Sequence, residues 1–170
     1  MYKVLLADDE DIIREGIGSI IEWEKLGTLF VGAAQNGVEA FEMVVSHRPD
    51  IVITDLKMPG MDGLELTKKL WESYPEISVV ILSGYGEFDF AQQAMQYGVR
   101  HYLLKPCNED EIKDILEKII TEKKAKEKTD AFYRHLKQSL EKVLPSVLEQ
   151  FIKDFSCGRY YSKNDLDFLK

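Results

Sequence analysis

Three carboxylates, a hydroxyl and an ammonium stand in this chain where short apolar runs end. Ile51-Val52-Ile53-Thr54 runs into a single carboxylate, Asp55. Lys3-Val4-Leu5-Leu6-Ala7 ends in Asp8-Asp9-Glu10-Asp11, Val79-Val80-Ile81-Leu82 ends in Ser83-Gly84, and His101-Tyr102-Leu103-Leu104 ends in Lys105-Pro106. Apolar runs of this length read as strands buried on both faces. Open α/β sheets keep their sites at the carboxyl ends of such strands. Carboxylates, a hydroxyl and an ammonium gathered on that edge suit a divalent cation and a phosphoryl group.

Taken singly, each group has a plainer reading. Asp8-Asp9 alone would be a capping cluster at a helix start, Ser83-Gly84 a turn, and Lys105 a solvent-facing lysine after a strand. Their joint occurrence with Asp55 favours a site. Three carboxylates repel one another unless a cation sits among them, and hard oxygen donors suit magnesium with water completing its shell. Asp55 is the candidate nucleophile, since a carboxylate can accept a phosphoryl group as an acyl phosphate. Lys105 would supply a compact positive charge with three donors. Lys105-Pro106 is a candidate cis bond that would aim the side chain inwards. The Ser83 hydroxyl could donate to a phosphoryl oxygen, and Gly84 leaves room beside it. Tyr102 lies on the strand face opposite Leu103. Its ring could swing between solvent and a gap beside Ser83, or simply end an amphipathic strand.

The elements that must position these groups alternate strand and helix five times in the first 120 or so residues. Ile12, Ile13, Ile17, Ile20 and Ile21 recur at helical spacing, with Trp23 and Leu26 closing that helix against the body. Val38, Phe41, Met43, Val44 and Val45 mark a second helix, and Leu64, Thr67, Leu70 and Trp71 a third, with Asp62 and Glu65 at capping spacing. Residues 87–95 form a fourth helix with a thin apolar stripe, a candidate moving part. Asn108 caps a fifth, striped by Ile112, Ile115, Leu116, Ile119 and Ile120. Crossovers of this length demand parallel, right-handed connections. The expected fold is a doubly wound five-stranded parallel α/β sheet with a C-terminal helical extension.

Beyond residue 120 the character changes. Residues 1–120 carry 22 acidic and 11 basic side chains, net −11, whereas 121–170 carry 8 and 11, net +3. The acidic part will not bind nucleic acid through its bulk field. Phe132, Leu136, Leu140, Val143 and Val147 follow at spacings of four, four, three and four, which is heptad-like. Pro145 predicts a kink or a fresh helix start. The expected organisation is a domain over 1–122, a helical linker with a coiled-coil-like seam over 123–145, and the opening of a further, truncated helical domain over 146–170. A last short helix is expected from Tyr160. Cys107 and Cys157 lack metal-ligand spacing and read as free thiols of a reducing, cytoplasmic compartment. His47, His101 and His135 form no triad or metal pair. The first strand leads into its helix without a glycine-rich loop, which disfavours a dinucleotide or P-loop site.

Leu6-Ala7-Asp8-Asp9-Glu10, the run Ile53-Thr54-Asp55-Leu56-Lys57-Met58-Pro59-Gly60-Met61-Asp62-Gly63, Ser83-Gly84 and Tyr102-Leu103-Leu104-Lys105-Pro106 resemble the receiver domain of two-component response regulators. The resemblance covers about residues 1–120. It implies the flavodoxin-like receiver fold with strand order 2-1-3-4-5. It implies Asp55 as phosphoacceptor and Asp8 and Asp9 as the acidic pair. Magnesium would be held by Asp9 and Asp55, by Asp8 mostly through water, and by the backbone carbonyl of Lys57. Ser83 and Tyr102 would be the switch residues and Lys105 the family's lysine. The partner would be a sensor histidine kinase. Ser83 to Phe88, the lysine-rich stretch after Ile120 and Leu144 to Phe151 resemble the regulators whose receiver precedes a helical linker and an AraC-type DNA-binding pair of helix-turn-helix motifs. That implies DNA binding for a longer protein, and none by residues 1–170. A homodimer through helices within 129–143 is expected, with Phe132, Leu136, Leu140 and Val143 as its seam.

Two other function classes share this pattern. An aspartyl-phosphate phosphatase-like enzyme would want an acid two residues after the nucleophile, where Lys57 stands and cannot serve. A phosphorylation-independent interaction domain would need none of the groups this chain carries.

Overall fold

A computed structural model describes residues 1–84 and 88–156; the side chains of 88, 89, 91 and 155 are not among what it describes. The expectations for residues 85–87, the helix from Tyr160 and Cys157 lie outside the described residues. The elements run β1 (Tyr2–Ala7), α1 (Asp11–Ile20), β2 (Thr28–Ala34), α2 (Gly37–His47), β3 (Ile51–Asp55), α3 (Gly63–Ser73), β4 (Ser78–Ser83), α4 (Phe88–Gln96), β5 (His101–Leu104) and α5 (Glu109–Ser156). The five strands are parallel and lie in the order β2-β1-β3-β4-β5. This is the doubly wound sheet that the alternation of strands and helices demands.

Strand alternation divides the core. Leu5, Ala7, Val52 and Ile81 point to one side, where they meet Val44, Leu66, Leu70 and Ala94 of α2, α3 and α4. Val4, Leu6, Ile53, Val80, Leu82 and Leu103 point to the other and meet Ile17 of α1 and Ile112, Leu116 and Ile119 of α5. β3 is buried along its whole length because both neighbours and both helical layers cover it. Side chains of this size each contribute roughly 1.5–3 kcal/mol when fully buried. The strand ends are therefore fixed by a core on each face.

Caps set where the helices begin. Asn36 Oδ1 accepts from Glu39 N at 2.9 Å, and Asp62 Oδ1 accepts from Glu65 N at 2.7 Å. Asn108 and Glu111 form a reciprocal box, each backbone N–H donating to the other's side chain at 2.9 Å. These side-chain oxygens accept from backbone N–H donors that a helix start leaves unpaired.

Two expectations are corrected. Helix α1 stops at Ile20; Trp23 lies beyond it and donates through Nε1 to Gly18 O at 3.0 Å. Of the five isoleucines only Ile17 and, just past the helix end, Ile21 are buried, while Ile12 is 84% exposed. A helix on one face of a sheet buries one stripe, and five isoleucines exceed it. Finally, Pro145 starts no new helix: α5 is continuous from Glu109 to Ser156. Proline removes one N–H and costs about 3 kcal/mol in a helix interior. That local penalty is spread over a long run of good helix formers, and the neighbouring Ser146 hydroxyl donates to Val143 O at 2.8 Å. By its internal contacts the chain divides into Met1–Glu122 and Lys123–Lys170. No helix among the described residues is long and apolar enough to cross a membrane.

Two glycines should respond oppositely to alanine. A Cβ on Gly63 would stand 2.0 Å from the backbone oxygen of Asp55, whereas one on Gly16, within α1, meets nothing within 4 Å. Gly63→Ala should lower unfolding stability by roughly 2 kcal/mol or more. Gly16→Ala should raise it by roughly 0.5–1 kcal/mol. Urea denaturation of the two variants beside the parent chain measures both.

Candidate functional site

Parallel register brings the reactive groups to one edge. Ala7 pairs with Thr54, Asp55 with Leu82, and Ser83 with Leu104. Asp8, Asp55, Ser83 and Lys105 therefore end four adjacent strands within a residue or so of one another. β2 and β3 lie on opposite sides of β1, so the edge at β1 and β3 is where the chain's winding reverses and a crevice opens.

Asp8 is fully buried and Asp55 nearly so, whereas Asp9 is exposed. Carboxylate oxygens of Asp8, Asp9 and Asp55 all lie within 4.8 Å of one another. The Lys105 ammonium reaches across from β5. It stands 2.8 Å from Asp8 Oδ2 and 2.9 Å from Asp55 Oδ2, with Glu10 Oε1 at 3.7 Å. The Lys105-Pro106 bond is cis, as expected. Lys105 N donates to Ser83 O at 2.7 Å, which ties the last strand end to β4.

Each carboxylate is held by backbone as well. Asp55 Oδ1 accepts from Leu56 N at 2.7 Å, and Asp8 Oδ1 accepts from Glu10 N at 2.9 Å. The loop after Asp55 is anchored by Met58 and Met61, both buried, and by Gly63 N donating to Leu56 O at 2.9 Å. Among the described residues, two buried side-chain atoms lack a well-angled hydrogen bond: Asp8 Oδ2, which has the Lys105 ammonium beside it, and the Ser83 hydroxyl oxygen. Buried polar atoms are ordinarily paired; Lys105 serves Asp8 Oδ2, so the Ser83 hydroxyl is the one that marks a place where a ligand group would be accommodated.

The electrostatics point the same way. Burial pushes the Asp55 carboxyl above its ordinary range. The hydrogen bond and charge of Lys105 pull it down without cancelling that, and the Asp8 carboxylate pushes it further up. For Lys105, burial works downwards, but bonds to Asp8 and Asp55 outweigh it and hold the ammonium above its usual range. The two shifts look contradictory for one ion pair. They agree once the stoichiometry is counted, because one ammonium serves two buried carboxylates, with a third close by. Three hard carboxylates against one ammonium is a donor set that fits a divalent cation.

Tyr102 is half-buried on the face opposite Leu103, where it packs against the core cluster of α2, α3 and α4. A small cavity of about 20 Å³ adjoins it, lined also by Ile81, Ala94, Met95 and Val99. Lys57 is exposed in the loop after Asp55. Cys107 is a half-buried free thiol, raised in pKa chiefly by burial. Residue types alone do not reveal the supporting contacts. Arg14 donates to the backbone oxygen of Asp8 and pairs with Asp11, bracing the first acidic loop from α1. The three-residue spacing of Asp11 and Arg14 is the only sequence signal for it.

A raised Asp55 pKa means that the ionised carboxylate is less favourable in the folded chain than in the unfolded one. At neutral pH without metal, ionised Asp55 therefore costs stability. Asp55→Asn should raise the metal-free Tm at pH 7 by a few degrees. The gap should narrow as acid protonates Asp55 in the parent chain. Calorimetry across that pH range measures the difference.

Comparison with known proteins follows the geometry. The family model for the response regulator receiver domain matches residues 4–117. The chain is 51% identical over 158 residues to the uncharacterized transcriptional regulatory protein YesN of Bacillus subtilis, covering 93% of this chain and 43% of that one. It is 37% identical over 120 residues to the transcriptional regulatory protein HptR of Staphylococcus aureus, covering 71% and 47%. Among solved structures it is similar to the receiver domain of AraT, a response regulator from Geobacillus stearothermophilus. That match has 40% identity and a TM-score of 0.71, covering 74% of this chain and 98% of that one. The chain spans about half the length of the curated relatives it matches. By family model, sequence identity and fold, it belongs to the response regulator receiver family of two-component systems.

Proposed function

We propose that this chain is a phosphorylation switch in which Asp55 takes a phosphoryl group from a phosphohistidine of a sensor histidine kinase. The observation that carries the reading is the set of groups around Asp55. Its carboxylate lies 2.9 Å from the Lys105 ammonium, within 4.8 Å of Asp8 and Asp9 oxygens, and near a strand end whose buried serine hydroxyl has no partner.

In the proposed step an Asp55 oxygen attacks phosphorus, the phosphorus–nitrogen bond of the donor breaks, and the imidazole leaves carrying the electron pair and taking up a proton. Asp55 becomes an acyl phosphate. Asp8, Asp9, Asp55 and the backbone carbonyl of Lys57 would hold Mg2+, which when bound neutralises phosphoryl oxygens and developing charge. Lys105 balances negative charge from the other side, and the Ser83 hydroxyl donates to a phosphoryl oxygen. The chain's own part is positioning and charge, the usual protein share in phosphoryl transfer. Drawing Ser83 and Lys105 towards the phosphoryl group would shift the end of β4. Tyr102 would follow into the space beside α4. The only reactions assigned are this self-directed transfer and slow loss of the phosphoryl group.

YesN and HptR are named as transcriptional regulatory proteins. With the receiver match and the helical run after it, this supports a receiver attached, in a longer cytoplasmic protein, to a DNA-binding transcription regulator of the AraC type. Residues 1–122 would be the receiver, 123–145 the linker and 146–170 the opening of that further domain. Pairing with a second copy through the helix in 129–143 would be the output. A phosphatase-like enzyme is disfavoured because exposed Lys57 occupies the position of its proton donor.

Intact mass after incubation with acetyl phosphate and magnesium tests the reading. One phosphoryl adduct is expected, absent in Asp55→Asn, absent without the metal, and strongly reduced in Lys105→Ala. An adduct that survives Asp55→Asn, or none under any condition, would leave a phosphorylation-independent interaction domain.

A further inference from the structure

Asp9 is the exposed carboxylate of the three at the sheet edge. It stands in the middle of the short loop of residues 8–10 that joins β1 to α1. Both peptide groups that flank it are held by side chains. After it, Glu10 N donates to Asp8 Oδ1 at 2.9 Å. Before it, Arg14 Nη1 donates to the backbone oxygen of Asp8. That oxygen belongs to the peptide joining Asp8 to Asp9, so Arg14 sets the plane from which Asp9 departs. Arg14 Nη2 pairs with the carboxylate of Asp11, the first residue of α1. One guanidinium therefore spans the loop from strand end to helix start. The Arg14 side chain is only 14% exposed, against 80% for Asp11.

An ion pair three residues apart on a helix surface contributes little and needs only Asp11. It does not account for a largely buried arginine that spends its other nitrogen on a loop carbonyl. We infer that Arg14 is a positioning residue for the divalent cation. Its forked guanidinium holds the peptide before Asp9 so that the Asp9 carboxylate stands within 4.8 Å of Asp8 and Asp55 oxygens before the ion arrives. This rests on the cation site of the proposed function and not on the phosphoryl transfer. A ligand group fixed beforehand loses less freedom on binding. The planar fork serves two acceptors in fixed directions, which the point charge of a lysine does not reproduce. Arg14 meets Asp8 through its backbone oxygen and not its carboxylate. Position and charge act with opposite signs here. A fixed cation beside three carboxylates opposes a second cation, so by charge alone loss of Arg14 would strengthen magnesium binding. By position, its loss weakens binding.

Magnesium titration of the 170-residue chain, followed by amide NMR with no phosphodonor present, tests this in the parent, Arg14→Ala and Arg14→Lys. Both variants should bind magnesium about tenfold more weakly than the parent. In the metal-free chains the Glu10 amide should exchange with deuterium faster in both variants, while the β3 amides keep the parent's rates. That pattern separates a loosened loop from a destabilised fold. Arg14→Ala binding magnesium as tightly as the parent, or tighter, would overturn the positioning role. Arg14→Lys binding as the parent does would overturn the part assigned to the fork. Weaker binding with faster exchange throughout β3 would make Arg14 a support of the fold alone and overturn the inference. A parent chain that binds no magnesium would overturn the cation site itself, whereas a parent that binds it beside an unchanged Arg14→Ala overturns only the role of Arg14.

Discussion

The edge of this sheet depends on one ammonium. Lys105 lies between the carboxylates of Asp8 and Asp55, at 2.8 and 2.9 Å. Both carboxylates are nearly dry, and two like charges so placed would repel strongly in a medium less polar than water. Lys105 makes their proximity tolerable but does not neutralise it, because Asp9 adds a third negative group. The imbalance leaves the edge a carboxylate cluster able to coordinate a divalent cation, on which the proposed phosphoryl transfer rests. A fully neutralised cluster would have no such demand.

Parallel strands make the arrangement possible. Their carboxyl ends all face one way, and the register across β1, β3, β4 and β5 sets four functional positions side by side. Two apolar layers, one on each face, hold those ends with little freedom. The loop after Asp55 is equally constrained, since α3 starts so close beneath it that residue 63 has no room for a side chain. Stability elsewhere in the core offsets the unfavourable charge of Asp55, a common trade at functional sites.

Much of this was legible in the sequence, for identifiable reasons. Strands buried on both faces appear as unbroken apolar runs, so β1, β3, β4 and β5 and the groups at their ends could be read directly. Helix α1 was over-read because Ile12 and Ile20 match the helical period yet face solvent. Periodicity reports spacing, not which neighbours arrive. Of the two outcomes expected at Pro145, the fresh helix start is not met, because a local propensity rule carries no knowledge of the helix around it. The Lys105 bridge, the orphaned Ser83 hydroxyl and the brace from Arg14 were not legible. Each depends on distances between segments far apart in the chain or on side-chain orientation, which spacing does not encode.

The central claim is that Asp55 sits in an under-neutralised cluster waiting for a cation. The most direct measurement is an NMR titration of the Asp55 side-chain carboxyl, with and without magnesium. The account predicts a carboxyl titrating above the ordinary aspartate range in the metal-free chain, and a downward shift when magnesium is added. An Asp55 that titrates as an ordinary aspartate and ignores magnesium would contradict it.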